Sequence, residues 1–160
     1  MLVTAATLAG APPVQSAEVV AFATDMPPGS IVIDTSERRL YLVQARGKAR
    51  RYVVGVGRAD RQWQGASAIE AKYRAPNWVP PAAIRADKPE LPGFIPGGSR
   101  ANPMGAAAMT LRGGPYAIHG TNVPGSVGGF VSYGCIRMLN ADIMDLYGRV
   151  EVGTNVSVRP

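Results

Sequence analysis

Short apolar runs alternate with polar and turn-forming segments along the first part of the chain. Residues 31–33 and 40–43 are two such runs, separated by the polar stretch 34–39. A turn at residues 46–48 then leads into a third run at residues 51–56. Runs of this length with short polar connections predict β-strands, and tight turns make neighbouring strands antiparallel. The pattern therefore predicts a three-stranded antiparallel meander.

The remaining apolar runs predict more strands and a single helix. Strands are expected at residues 68–73, 109–112, 115–119 and 155–158. Residues 140–147 instead repeat their apolar positions with helical spacing, which places Ile143 and Leu146 on one face. Asn140 is expected to be the N-cap of this helix, and Gly148 is expected to end it.

Between residues 76 and 103 the chain changes character, because seven of its fourteen prolines fall in this segment. A connection of this length is uncommon in a compact domain unless it has a function. Two interpretations are open: a solvated surface excursion, or a wall or lid over a groove.

Composition narrows the fold class. Hydrophobic residues make up 46% of the 160 positions, which is enough for the core of one domain and excludes a disordered chain. The 19 glycines and 14 prolines are scattered along the sequence. This distribution excludes collagen and coiled coils and favours a mainly β fold of short strands.

The first residues differ from the rest. Residues 1–17 are uncharged, small and largely apolar, and they resemble the apolar and cleavage regions of a secretory signal. Because the positive region of such a signal is missing, the segment could also be a truncated remnant of one. The run is too short and too weakly apolar to span a membrane. Residues 18–29 are expected to be a linker, and residues 30–160 the folded domain.

The net charge of +6 points to an anionic partner. Three of the 17 basic residues are lysine and fourteen are arginine, whose planar guanidinium suits carboxylates and phosphates. However, the basic residues are dispersed and lie beside no aromatic stacking motif, so nucleic acid is disfavoured. A carboxylate-bearing substrate or an anionic polymer fits this charge better.

One cysteine and one histidine are the candidates for covalent chemistry. His119 ends a predicted strand, and Cys135 follows it after a loop rich in glycine. Such a loop can bring the thiol and the imidazole together, and a histidine that accepts the proton activates a cysteine nucleophile. The alternative is that Cys135 is a small buried hydrophobe and the pairing is coincidental. One histidine and one cysteine cannot fill a zinc site, so no metal is expected.

The residues around this pair carry a resemblance. His119-Gly120-Thr121-Asn122, followed by Ser132-Tyr133-Gly134-Cys135-Ile136-Arg137-Met138, is similar to the signature of the L,D-transpeptidase catalytic domain (YkuD-like). Flanking segments agree with that family in the same order, at residues 38–42, 54–57, 76–81, 102–105 and 152–156. The resemblance covers about residues 28–159.

The resemblance implies a mainly β, sandwich- or barrel-like catalytic domain with one or two short helices and a long Pro/Gly-rich loop. It makes Cys135 the nucleophile and His119 the general base, with the Gly120 carbonyl orienting the imidazole. Four residues near the nucleophile are expected to bind substrate or support the oxyanion: Ser132, Tyr133, Gly134 and Arg137.

The implied reaction is the remodelling of peptidoglycan in the cell envelope or periplasm, with no cofactor. Cys135 would attack the meso-diaminopimelate carbonyl of a donor tetrapeptide stem and release D-alanine. An amine of a second stem would then take the acyl group and form a 3-3 cross-link. The alternatives are an outer-membrane protein or lipoprotein as the acceptor, water as in an L,D-carboxypeptidase, or a wall-binding module with weakened catalysis. Carbapenem-type β-lactams are the inhibitors that the resemblance implies.

One position departs from the family pattern. Tyr133 stands where the family usually has a histidine directly before the glycine–cysteine pair. A tyrosine can donate or accept a hydrogen bond, but its pKa near 10 prevents it from acting as a base at neutral pH. Because His119 already supplies a base, we expect Tyr133 to shape the pocket.

Overall fold

The computed structural model describes residues 17–160, so nearly all of the signal-like segment lies outside the described residues. The strands are β1 (Glu18–Ala21), β2 (Ile31–Asp34), β3 (Arg39–Ala45), β4 (Lys48–Val53), β5 (Val56–Gly57), β6 (Gly65–Arg74), β7 (Ala107–Leu111), β8 (Ala117–His119), β9 (Phe130–Ser132), β10 (Ile136–Arg137) and β11 (Asn155–Arg159). The α-helices are α1 (Ala82–Asp87) and α2 (Asn140–Tyr147), and single 3-10 turns occupy residues 59–61 and 124–126.

The predicted meander is confirmed. β2 pairs antiparallel with β3, and β3 pairs antiparallel with β4. The next predicted strand, β6, does not continue the meander, because β11 lies between β2 and β6. β11 runs parallel to β2 and antiparallel to β6, so the end of the chain joins the two parts of the sheet.

β6 is the corner of the fold. Its first residues, 65–68, pair with β11, and its later residues, from Ile69 onwards, pair with β7, with a change of register between Ile69 and Ala71. The sheet continues through β7 and β8 to β10. Gly55 then forms an antiparallel bridge with Arg137, which links the segment after β4 to β10. The expected mainly β, sandwich- or barrel-like fold is confirmed.

One hydrophobic core fills the space between the bent sheet and α2. The largest fully buried side chains include Tyr52, Ile31, Ile33, Leu40, Ile69, Met109, Leu111, Ile118, Ile136, Met138, Ile143 and Leu146. Burial of one such aliphatic side chain contributes about 1.5–3 kcal/mol. Because Ile118 and Ile136 belong to this core, their burial fixes the positions of β8 and β10.

One expectation about the elements is wrong. Glu18–Ala21 was expected in a linker, but it forms β1 and pairs antiparallel with β4 at the edge of the sheet. The alternating partial burial of these four residues explains the pairing, since a period of two suits an edge strand. The apolar pattern predicts α2 alone, because the six residues of α1 are too few to show a helical period. The two helices agree with the one or two short helices that the resemblance implies.

No helix within residues 17–160 is long and apolar enough to cross a lipid bilayer.

Candidate active site

Two neighbouring parallel strands bring His119 and Cys135 together. In the pairing of β8 with β10, Ile118 lies opposite Ile136 and His119 lies opposite Arg137. The Met138 N–H also donates a hydrogen bond of 2.8 Å to the His119 carbonyl. Because side chains alternate along a strand and both isoleucines face the core, the side chains of His119, Cys135 and Arg137 share the opposite face. All three line one cavity of about 70 Å³.

The contacts of His119 leave one ring nitrogen able to accept a proton. Its side chain is buried, and Nδ1 lies 2.6 Å from the Gly120 carbonyl oxygen. Because a carbonyl oxygen only accepts, Nδ1 carries the proton and Nε2 is left with its lone pair. The pKa of His119 is lowered to about 4, mainly by burial and also by the charge of Arg137, although the backbone carbonyls of Gly120 and Pro103 act in the opposite direction. The imidazole is therefore neutral at physiological pH, as a general base must be.

Cys135 is partly exposed at the mouth of this cavity. Burial raises the pKa of its thiol, while a backbone hydrogen bond from Ala117 and the charge of Arg137 lower it. The thiol and the imidazole are therefore both neutral at rest. Ionisation of the sulfur then has to accompany transfer of its proton to His119.

The backbone next to the nucleophile is fixed by its neighbours. Gly134 has a φ of +117°, and a Cβ there would lie 2.5 Å from the Tyr116 ring, so only glycine fits without strain. The Gly134 carbonyl accepts a 2.9 Å hydrogen bond from the Trp63 indole, whose ring stacks on Tyr116. These contacts orient the peptide that precedes Cys135.

The Ser132 side chain forms hydrogen bonds to the backbone of the same turn. Its hydroxyl accepts a 3.0 Å hydrogen bond from the Gly134 N–H and donates one of 2.5 Å to the Cys135 carbonyl. The Gly134 N–H was expected to face the oxyanion, but it is already bonded to Ser132. The substrate role expected for Ser132 gives way to a bracing role, since its hydroxyl is committed to the backbone of the turn.

Arg137 supplies the positive charge of the site. Its backbone is tied to Gly55 by two hydrogen bonds of 2.8 Å. Its Nε atom is buried and has no hydrogen-bond partner among the described residues, and Nη1 lies 3.5 Å from the Ser126 hydroxyl. Burial lowers the pKa of this guanidinium, and the Cys135 sulfur opposes the shift. A buried donor without a partner beside the nucleophile suits a carboxylate or a developing oxyanion.

Tyr133 lines the same cavity as Cys135 and His119, and its hydroxyl contacts the end of α1. Its hydroxyl donates a 2.5 Å hydrogen bond to Asp87 at the end of α1. The Arg58 guanidinium lies over the Tyr133 ring, 4.4 Å from its centroid. The tyrosine is part of the cavity wall and its hydroxyl is bonded to α1, while its effect on catalysis stays a prediction.

Residues 76–103, the lid segment, form one wall of the site. Trp78 and Ile95 pair as an isolated bridge, and the buried Asn102 amide donates to the carbonyls of Pro76, Ile95 and Pro96. Trp78, Pro81 and Ile84 line the catalytic cavity. A second cavity of about 260 Å³ continues under the segment, and Trp78, Ile84, Lys88, Tyr133 and Arg137 are among its lining residues. Of the two interpretations of this segment, the wall is correct.

Asn140 is not the N-cap of α2 that its position in the sequence predicts. Its side chain does not cap α2, and Leu139 occupies the N-cap position instead. The Asn140 Oδ1 accepts hydrogen bonds from the N–H groups of Ala106 (3.0 Å) and Thr121 (3.1 Å), and its Nδ2 donates to the Thr121 carbonyl at 3.0 Å. A Cβ on Gly120 would lie 2.3 Å from this Oδ1, so the Gly120 backbone is packed directly against it.

Asn140→Ala is expected to slow acylation of Cys135 about tenfold, because two backbone N–H groups lose their acceptor and the Gly120 carbonyl that orients His119 is loosened. Asn140→Asp, which keeps an oxygen acceptor, is the matched control and should lose less. The rate is measured by intact mass after timed exposure to a β-lactam. Wild-type rates for both variants would contradict this positioning role.

Within residues 17–160, no three His, Cys, Asp or Glu side chains come together as metal ligands would.

The sequence has known counterparts. A family model described as the L,D-transpeptidase catalytic domain (YkuD) matches residues 28–158. A probable L,D-transpeptidase of Salmonella typhimurium, ErfK/SrfK, is 39% identical over 137 residues, which are 80% of this chain and 43% of that protein. The chain thus spans less than half the length of this relative. With most of its residues matched by the family model, the chain belongs to the L,D-transpeptidase catalytic-domain family.

The fold also has solved counterparts. A structure from Brucella melitensis, named a probable carnitine operon oxidoreductase, is 40% identical with a TM-score of 0.61, covering 89% of this chain and 92% of that one. L,D-transpeptidase 3 of Mycobacterium tuberculosis, in complex with a faropenem-derived adduct, is 16% identical with a TM-score of 0.61, covering 84% of this chain and 61% of that one. At the latter identity, the likeness shows the fold alone.

Proposed function

We propose that this domain is a cysteine-dependent L,D-transpeptidase that acts on the stem peptides of peptidoglycan. The observation that carries the proposal is the convergence of three side chains on one cavity. His119 is oriented there by the Gly120 carbonyl, and Cys135 lines the same cavity. The buried Nε of Arg137 has no hydrogen-bond partner within residues 17–160. A base, a nucleophile and an anion-binding donor are the parts that acyl transfer needs.

The first half of the reaction forms a thioester. The Cys135 sulfur attacks the carbonyl of the diaminopimelate residue in a donor tetrapeptide, and His119 Nε2 takes the thiol proton. The tetrahedral intermediate collapses when the bond to D-alanine breaks, and the imidazolium returns its proton to the leaving amine. The Arg137 guanidinium is positioned to stabilise the oxyanion or a carboxylate of the stem.

The second half transfers the acyl group. An acceptor amine attacks the thioester carbonyl, His119 accepts the amine proton, and the proton returns to the departing sulfur. With a second stem as the acceptor, the product is a 3-3 cross-link. With a protein amine as the acceptor, the same chemistry would attach that protein to the wall, and with water it would trim the stem. Cys135 and His119 take part in each of these reactions in the same way, so they do not determine which acceptor is used.

We also propose that the domain works outside the cytoplasm, in the cell envelope where its substrate lies. The 14 arginines of the chain support the substrate part of this proposal, since stem peptides carry free carboxylates. Acylation by a carbapenem is proposed on the same basis as acylation by the stem, because the β-lactam carbonyl presents the nucleophile with a comparable acyl group.

The test is the reaction of the purified protein with a disaccharide tetrapeptide, followed by measurement of released D-alanine and of product masses. Release of D-alanine with a dimeric product supports cross-linking, and release with a tripeptide product supports trimming. A stem that ends in L-alanine is the matched control and should release nothing. If the folded protein binds the stem but releases no D-alanine, this result would contradict the proposed transpeptidase activity and favour a wall-binding module.

A further inference from the structure

The polar contacts that join the far end of α1 to the catalytic loop run through one side chain, Asp87. Among residues 17–160, the hydrogen bonds and ion pairs that leave α1 for residues outside the lid segment all involve Asp87. Its Oδ2 accepts the hydrogen bond from the Tyr133 hydroxyl and lies 3.9 Å from Nη2 of Arg58. The base of the lid segment is fixed independently, by the Asn102 amide and by the backbone bond from Ala75 to Ala106.

The other side of this contact belongs to the catalytic loop. Tyr133 is two residues before Cys135, and its ring is covered by Arg58 at 4.4 Å and Arg61 at 5.7 Å. Both guanidiniums also pair with Asp60, at 3.6 Å and 3.3 Å. The ring is therefore held in place, and its hydroxyl is directed at α1.

We propose that Tyr133 and Asp87 form a latch that holds α1 against the catalytic loop and so keeps the peptide-binding groove in shape. This inference rests on the proposed function for its substrate. The groove runs between Trp78 and Ile84 of the lid segment on one side and Tyr133 and Arg137 on the other. Without the latch, the free protein would have to order α1 each time a stem binds, and that cost would appear in affinity. Tyr133 and Asp87 are thus positioning residues.

The size of the effect follows from the exposure of the contact. Asp87 is 47% exposed, so the hydrogen bond is weakened by solvent and is worth less than a buried bond to a carboxylate. Loss of the latch is expected to raise the KM for the tetrapeptide stem roughly three- to tenfold. The turnover number at saturating stem should stay within a factor of about two, because neither Cys135 nor His119 contacts Asp87.

The main experiment compares Asp87→Ala with Asp60→Ala. Both substitutions remove a carboxylate that pairs with Arg58, but only Asp87 accepts the bond from Tyr133. The latch predicts a raised KM for Asp87→Ala alone. Equal changes in the two variants would assign the effect to charge near Arg58 and overturn the latch, and a lowered KM would show that α1 obstructs the groove.

A double-mutant cycle tests whether the two side chains act together. Tyr133→Phe keeps the ring under Arg58 and removes only the hydroxyl, so it should raise KM as Asp87→Ala does. The double variant should then be no worse than either single variant, because the second substitution removes a partner that is already lost. Additive effects would show that the residues act separately, against the latch.

Hydrogen exchange separates failure of the latch from failure of the proposed function. In the protein without substrate, the latch predicts faster exchange at residues 82–88 in Asp87→Ala than in wild type, and no change in Asp60→Ala. If the wild type released no D-alanine from stems, the proposed function would fail and the exchange result alone would decide the latch. Equal exchange in all three proteins would overturn the latch even if the enzyme were active.

Discussion

Cys135→Ser is expected to abolish both D-alanine release and the formation of a covalent adduct with a carbapenem. The hydroxyl is a far weaker acid than the thiol, and His119, with a pKa lowered to about 4, is too weak a base to ionise it. Intact-mass measurement gives a clear readout, because Cys135 is the only cysteine in the sequence. Wild type should gain the mass of one carbapenem, and the serine variant should gain none.

The serine variant must be shown to be folded, since a misfolded protein would give the same result. Serine is close to cysteine in size, and Cys135 lies outside the hydrophobic core, so the thermal unfolding midpoint should stay close to that of wild type. An adduct of equal yield on the folded serine variant would show that another residue is the nucleophile.

His119→Ala is expected to slow acylation at neutral pH about a thousandfold, the contribution typical of a positioned general base. The pH dependence should also change. In wild type the rate should fall only as the pH drops through about 4, where His119 becomes protonated. In the variant, the residual rate should rise with pH across the neutral range, because the thiol must ionise unaided and burial raises its pKa.

The matched control for this prediction is Asn140→Ala, which loosens the support of His119 and leaves the imidazole in place. Its rate should drop far less, and its pH profile should keep the wild-type shape. A His119→Ala variant with a flat profile near the wild-type rate would remove the histidine from the mechanism.

The same histidine makes the fold sensitive to acid. Its pKa is about 4 in the folded protein and 6.5 in the unfolded chain. Between these values the unfolded chain binds a proton that the folded protein does not, so the contribution of His119 to stability falls as the pH drops from about 6.5 towards 4.

The sequence was sufficient to predict the meander and the proximity of His119 to Cys135. The sequence has one cysteine and one histidine, and both lie in a recognisable motif 16 positions apart. The strands of the meander are joined by short turns. Both predictions therefore depend on residues that are close together in the sequence. The insertion of β11 between β2 and β6 could not be predicted, because it pairs residues more than a hundred positions apart. The periodicity of a strand predicts which face of the sheet each side chain occupies, but it does not predict which strand pairs with it.

The partners of the polar side chains were the other information that the sequence lacked. Ser132, Tyr133 and Asn140 each carry groups that can bond in several directions, and the geometry of distant segments decides which bond forms. The Tyr133 hydroxyl meets a carboxylate 46 positions away, and the Asn140 amide meets an N–H group 34 positions away. Such contacts appear only once the chain has folded.

The central place of β11 has a consequence for how the protein is made. It is the last strand along the chain, yet it fills the gap between β2 and β6. Synthesis reaches β11 only after β2 and β6, so the edges of these two strands that pair with β11 stay open until then. Long-range closure of this kind is slow. The strand that joins the two parts of the sheet therefore forms its pairs only after both of its neighbours have been synthesised.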